Sequence, residues 1–114
     1  MMGDADRLWR EACNLDDQGR LQDAILVYEL AVAAGSTDAM VNLAMIYEHR
    51  TSPPKLQEAI VLDERAAAGG NPVGAWNLHR NYEMQGRETE SHRWLKVAAD
   101  LGDEDAVALL SKGH

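Results

Sequence analysis

Residues 21–25 read LQDAI and residues 56–60 read LQEAI, one methylene apart in wording and 35 residues apart in the chain. Extended without gaps, the register holds. Gly35 falls on Gly70, Asn42-Leu43 on Asn77-Leu78, Tyr47-Glu48 on Tyr82-Glu83, Ala24 on Ala59 and Ala31 on Ala66. A third copy follows at an offset of 32, with Gly70 on Gly102, Ala59 on Ser91 and Ala66 on Ala98. The shortfall lies where EHRTSPPK (48–55) shrinks to EMQGR (83–87). Ahead of the first copy, Trp9 stands ten residues before Gly19, as Trp76 stands ten before Gly86. Self-similarity at such a period marks a stacked array, because one short unit cannot bury its own apolar face.

Each unit reads as two helices. Met40, Leu43, Ala44 and Tyr47 follow the i, i+3, i+4, i+7 spacing of one helical face, and Ala75, Leu78, His79 and Tyr82 repeat it. Gly35, Gly70 and Gly102 suit the left-handed position that ends a helix. Ser36, Asn71 and Asp103 can cap the helix that follows, and Pro72 fits a first turn. Pro53-Pro54 is expected to open the helix carrying LQEAI in the same way. These signals predict helices over 4–17, 20–34, 38–50, 55–68, 72–84, 87–100 and 103–111. A high Ala content and the absence of Phe agree with helix, since Ala surrenders no side-chain entropy there.

The chain is therefore expected to be all-α, one domain over 1–114. Its units are about 4–34, 37–69 and 71–101, with a half unit over 103–112, making about three and a half antiparallel helix pairs. Ala12, Ala24 and Ala31 stand where Ala44, Ala59 and Ala66 stand in the next unit, small enough for two helix backbones to approach. The third set reads His79, Ser91 and Ala98. Ser91 is expected to make room for the imidazole and to hydrogen-bond it, because buried polar groups are paired.

Composition narrows the function classes. Nineteen acidic against 11 basic side chains leave a net charge of −8, without the basic footprint that nucleic acid or an anionic membrane surface requires. A basic protein partner suits that charge. Cys13 is the one cysteine, so no internal disulfide or cysteine metal cluster is expected. No apolar run is long enough to cross a membrane and none resembles a signal peptide, so a cytoplasmic location is expected. His49, His92 and His114 lack metal-ligand spacing, and no phosphate loop, nucleophile elbow or zinc-protease helix is present. No catalytic residue, metal or cofactor is expected. Asp103, Glu104 and Asp105 form a carboxylate cluster, but they open a helix where negative charge meets the positive end of the dipole.

SHRWLKVAADLGDEDA (91–106) and AILVYELAVAAGSTDAMVNLAMIYE (24–48) resemble the tetratricopeptide superfamily, and within it the Sel-one-like branch. That branch favours an aromatic pair and then Lys-Ala-Ala in its second helix, and a Leu-Gly…Tyr first helix. Here Ala44 and His79 replace the Gly after the helical Leu. The resemblance implies a right-handed α-α superhelix whose concave face binds another protein, with no catalysis of its own. It also speaks against a carboxylate-tail clamp, because Trp9 and Val73 stand where the clamp wants Lys.

In such arrays the first helix of each pair lines the inner wall. One face away from the packing stripe gives three rows: Trp9, Val41 and Trp76; then Cys13, Met45 and Arg80; then Asp16, Glu48 and Glu83. Asn42 and Asn77 sit beside them, with amides able to donate to and accept from a peptide backbone. The expectation is a groove with tryptophan anchors and an acidic row preferring Lys or Arg. The favoured function is a non-enzymatic adaptor, a monomer or weak homo-oligomer. Its rivals are a self-associating module, through Leu109 and Leu110 on the last helix, and an inhibitor or immunity-type protein blocking a basic enzyme.

Overall fold

The computed structural model describes residues 3–113. They form seven α-helices, with no strand among the described residues: α1 (Asp4–Asp17), α2 (Leu21–Ala33), α3 (Thr37–His49), α4 (Leu56–Ala68), α5 (Pro72–Met84), α6 (Glu88–Asp100) and α7 (Glu104–Ser111). Every boundary lies within one residue of its expected place. Each helix packs on the one before it, most extensively within the pairs α1–α2, α3–α4 and α5–α6. The chain spreads into a slab of 42 × 37 × 21 Å. Its short dimension is about two helix diameters, so the molecule is two layers deep.

The ends of the helices follow from a few side chains. Ser36, Asn71 and Asp103 accept from the backbone N–H of Ala39, Val73 and Ala106 at 3.0, 3.0 and 2.9 Å. Each thereby satisfies a first-turn donor that has no partner within its helix. Gly35 and Gly70 take φ of +96° and +91°, where a Cβ would be strained. That turn lets Ser36 N–H reach Ala31 O and Asn71 N–H reach Ala66 O, closing off α2 and α4. The prolines of the longer loop are a correction. Pro72 does occupy the first turn of α5, but α4 starts at Leu56 behind Lys55, leaving Pro53 and Pro54 in the connecting loop.

The alanine rows form the contact within and between pairs. Ala12, Ala24, Ala31, Ala44, Ala59, Ala66 and Ala98 are all at most 1% exposed. Around them, Tyr28, Leu43, Ile46 and Leu62 fill one core cluster, and Ala75, Leu95 and Ala106 a second. His79 and Ser91 are also buried, and they complete each other. The ring Nδ1 lies 3.0 Å from Ser91 Oγ and 3.1 Å from Ser91 O, while the hydroxyl donates to His79 O at 3.2 Å. With the hydroxyl hydrogen committed to that carbonyl, Nδ1 must carry the ring proton and donate to both Ser91 oxygens. Gly74 makes the closest approach of the glycines. A Cβ there would stand 2.6 Å from Asp63 O, so α5 rests on the α4 main chain itself.

Candidate functional site

Two hollows adjoin on one side of α3. The first, about 160 Å³, is lined by Asp16, Asn42, Met45, Ile46, His49 and Arg50. The second, about 180 Å³, is lined by Met45, Glu48, His49, Trp76, Asn77, Arg80 and Met84. Met45 and His49 border both, so the hollows run together from α1 across α3 to α5. The repeat explains the alignment, since helices in register present the same face in turn. Trp76 is half-buried and lies against the His79 ring at 5.1 Å between centroids. Met45 and Met84 are exposed beside it.

Other expected lining residues lie elsewhere. Val41 is only 7% exposed and belongs to the core; it is corrected from the inner row. Trp9 and Cys13 are half-buried against that core and border neither hollow. Glu83 lines a separate hollow of about 510 Å³ with His79, Ser91 and Leu109.

Asn42 and Asn77 each line one of the two hollows, but Asn42 is engaged through both ends of its amide and Asn77 through its Nδ2. Trp9 Nε1 donates to Asn42 Oδ1 at 3.3 Å, and Asn42 Nδ2 donates to Tyr28 Oη at 3.3 Å. Tyr28 Oη donates on to Cys13 Sγ at 3.5 Å. Trp9 and Cys13 are one turn apart on α1, so this path leaves α1, crosses α3 and α2, and returns. Burial, then the neighbouring thiol, pushes the Tyr28 phenol above its ordinary range and keeps it protonated as a donor. One repeat later, Asn77 Nδ2 donates to Asp63 Oδ1 at 3.2 Å.

Asp63 occupies the register of Tyr28 and of Leu95, and only 3% of it is exposed. Removal from water raises its carboxyl to about 8; the Glu48 charge adds to this and the Asn77 amide opposes it. The protein thus carries a largely protonated acid at a core position. Tyr28 and Asp63 escaped the sequence reading, although a signal was present. Each precedes its asparagine by 14 residues, so the two polar pairs recur in register.

Two members of the acidic row face an arginine and the third accepts from a neutral amide. Arg50 Nη1 pairs with Asp16 at 2.8 Å, Arg80 Nε lies 3.6 Å from Glu83, and Glu48 accepts from Asn81 Nδ2 at 3.4 Å. The lining of the two hollows is therefore mixed in charge, with Met45, Met84 and the one indole of Trp76, and not plainly acidic. Among the described residues no group of three or more His, Cys, Asp or Glu side chains could hold a metal ion. Among the described residues no helix is long and apolar enough to cross a membrane. His114 lies outside the described residues. No protein-family profile and no curated protein matches the chain.

Proposed function

We propose that this protein is a non-enzymatic adaptor of the tetratricopeptide-like, Sel-one-like kind. In this reading it is a right-handed superhelix, cytoplasmic, holding a segment of another protein against α1, α3 and α5. One observation carries the reading: Met45 and His49 join two hollows that cross three successive first helices, with Trp76 and Arg80 at the far end. Exposed methionines suit adaptable apolar contact, and a half-buried indole suits an anchor. The engaged asparagines and paired carboxylates give the wall its shape, leaving Met45, Trp76 and Arg80 to meet the ligand.

A photo-crosslinking side chain at Met45 should capture the partner in the native source, while one at exposed Glu11 should not. Trp76→Ala should remove the Met45 adduct. Absence of any adduct at Met45 would end this reading. A second reading, self-association, draws on α7, where Val107 is 49% exposed and Leu109 and Leu110 are only half-buried. Light scattering over a concentration series distinguishes it from a monomeric adaptor. The inhibitor reading draws little from a wall on which Asp16 and Glu83 already face Arg50 and Arg80.

A further inference from the structure

On the opposite side of α3 from the two inner hollows, α2 and α4 leave an apolar cleft of about 520 Å³. Leu43 and Tyr47 of α3 form its floor; Val32, Val61 and Leu62 form its walls. Glu29 and Glu58 stand at the rim near Tyr47, and Arg65 stands two turns along α4 from Glu58. Across Glu29 and Tyr47 the cleft continues into a second hollow of about 350 Å³, beside Leu26, which is 63% exposed.

The next repeat shows what such a gap holds when it is filled. Shifting the α4 register by 32 residues puts Trp94 at the place of Leu62, Arg93 at that of Val61, and Glu90 at that of Glu58. Trp94 is half-buried against the cluster containing Ala67, Leu95 and Ala98, with the Arg93 guanidinium 5.3 Å from its ring centroid. Arg87 lies over the Tyr82 ring at 4.9 Å and also pairs with Glu90. In the first gap, Lys55 lies over the Tyr47 ring at 5.2 Å in the same way. Yet neither Glu29 nor Glu58 pairs with a cation among the described residues. Burial first, and then the charges of Glu29 and Glu58, push the Tyr47 phenol upward. The first gap lacks two things that the second possesses: an indole and a cation on the rim carboxylate.

We propose that the α2–α4 cleft is a second docking surface, for a partner segment that presents an aromatic side chain beside a Lys or Arg. The aromatic ring takes the place that Trp94 fills one repeat later, and the cation meets Glu58 and Glu29. Aromatic anchors beside charge-complementary rims are the usual composition of such contacts. A second copy is a poor donor of the anchor, since its own Trp94 is already half-buried in its own gap.

The test is a titration of ¹⁵N-labelled protein with a short peptide of Trp-Arg-Ala-Ala repeats. The expected result is amide shifts centred on Val32, Tyr47, Val61 and Leu62, absent with Ala-Arg-Ala-Ala and with Trp-Glu-Ala-Ala peptides. Glu29→Lys/Glu58→Lys should weaken binding by about tenfold or more, since two rim attractions become repulsions. Glu11→Lys/Asp17→Lys, with the same change in net charge, should leave affinity within about twofold. Leu62→Trp, provided circular dichroism shows it folded, should abolish binding by filling the cleft from within. Shifts confined to Met45 and Trp76, equal binding of all three peptides, or equal losses from both lysine pairs would overturn the proposal. The adaptor reading stands or falls separately, on the crosslink at Met45.

Discussion

Trp9 and Asn42 are joined across the first repeat boundary by an indole N–H that reaches the amide oxygen at 3.3 Å. Both polar ends of Asn42 are used, so one residue ties α1, α2 and α3 together through Tyr28. Asn42→Ala should lower unfolding stability by about 1–2 kcal/mol in urea, because two part-buried partners lose their acceptor or donor. Trp9→Phe should cost less. A double-mutant cycle should give a coupling of roughly 0.5 kcal/mol or more, and strict additivity would show the contact to be idle.

Asp63 makes stability depend on pH in the direction opposite to that of a salt-bridged carboxylate. An unfolded Asp titrates near about 3.9. Between there and about 8 the folded chain keeps a proton that the unfolded chain has lost. Stability from this group is therefore greatest at the acid end, falls as pH rises through that window, and levels off above about 8. The slope should approach about 1.4 kcal/mol per pH unit at its steepest. Asp63→Asn keeps an acceptor for Asn77 and should flatten the slope and raise the urea midpoint at neutral pH. An unchanged slope would show that Asp63 ionises normally.

Gly74→Ala sets two effects against each other. Replacing a helical Gly gains up to about 1 kcal/mol of helix propensity. The new methyl, however, would lie 2.6 Å from a main-chain oxygen and 3.0 Å from Ala66 Cβ, neither of which is a side-chain end free to rotate away. Overpacking of this kind costs typically about 1–3 kcal/mol. Net destabilisation is expected in thermal melts, and a raised melting temperature would show that α5 can shift.

Ser91→Ala should cost about 1 kcal/mol, because His79 keeps the carbonyl acceptor and loses only the hydroxyl. Ser91→Leu should cost more by crowding the imidazole. The pair separates hydrogen bonding from space: equal losses would mean that volume plays no part. In ¹⁵N spectra of the parent protein, the His79 ring should appear with its proton on Nδ1.

The helices were legible because their signals are local. Ser36, Asn71 and Asp103 cap, and Gly35 and Gly70 turn, through groups a few residues away, so spacing alone locates them. The placement of Ser91 beside His79 was legible for a related reason: a bulky residue in a row of alanines demands a compensating neighbour. The lining of the inner wall was less so. Row counting puts Val41 level with Trp9 and Trp76, but α3 is packed by α2, α4 and α5, and the short Val41 side chain is covered by that packing. Pairings such as Asn42 with Tyr28 and Arg50 with Asp16 join residues from different helices. A pattern confined to one helix does not contain them. Pro53-Pro54 misled by a small margin, since Lys55 takes the N-cap and leaves the prolines just ahead of α4 instead of in its first turn.

Main chain on main chain at Gly74 is a joint without slack, as no rotamer change can relieve or adjust it. The spacing of α4 and α5 at that point is therefore set by backbone and not by side-chain volume.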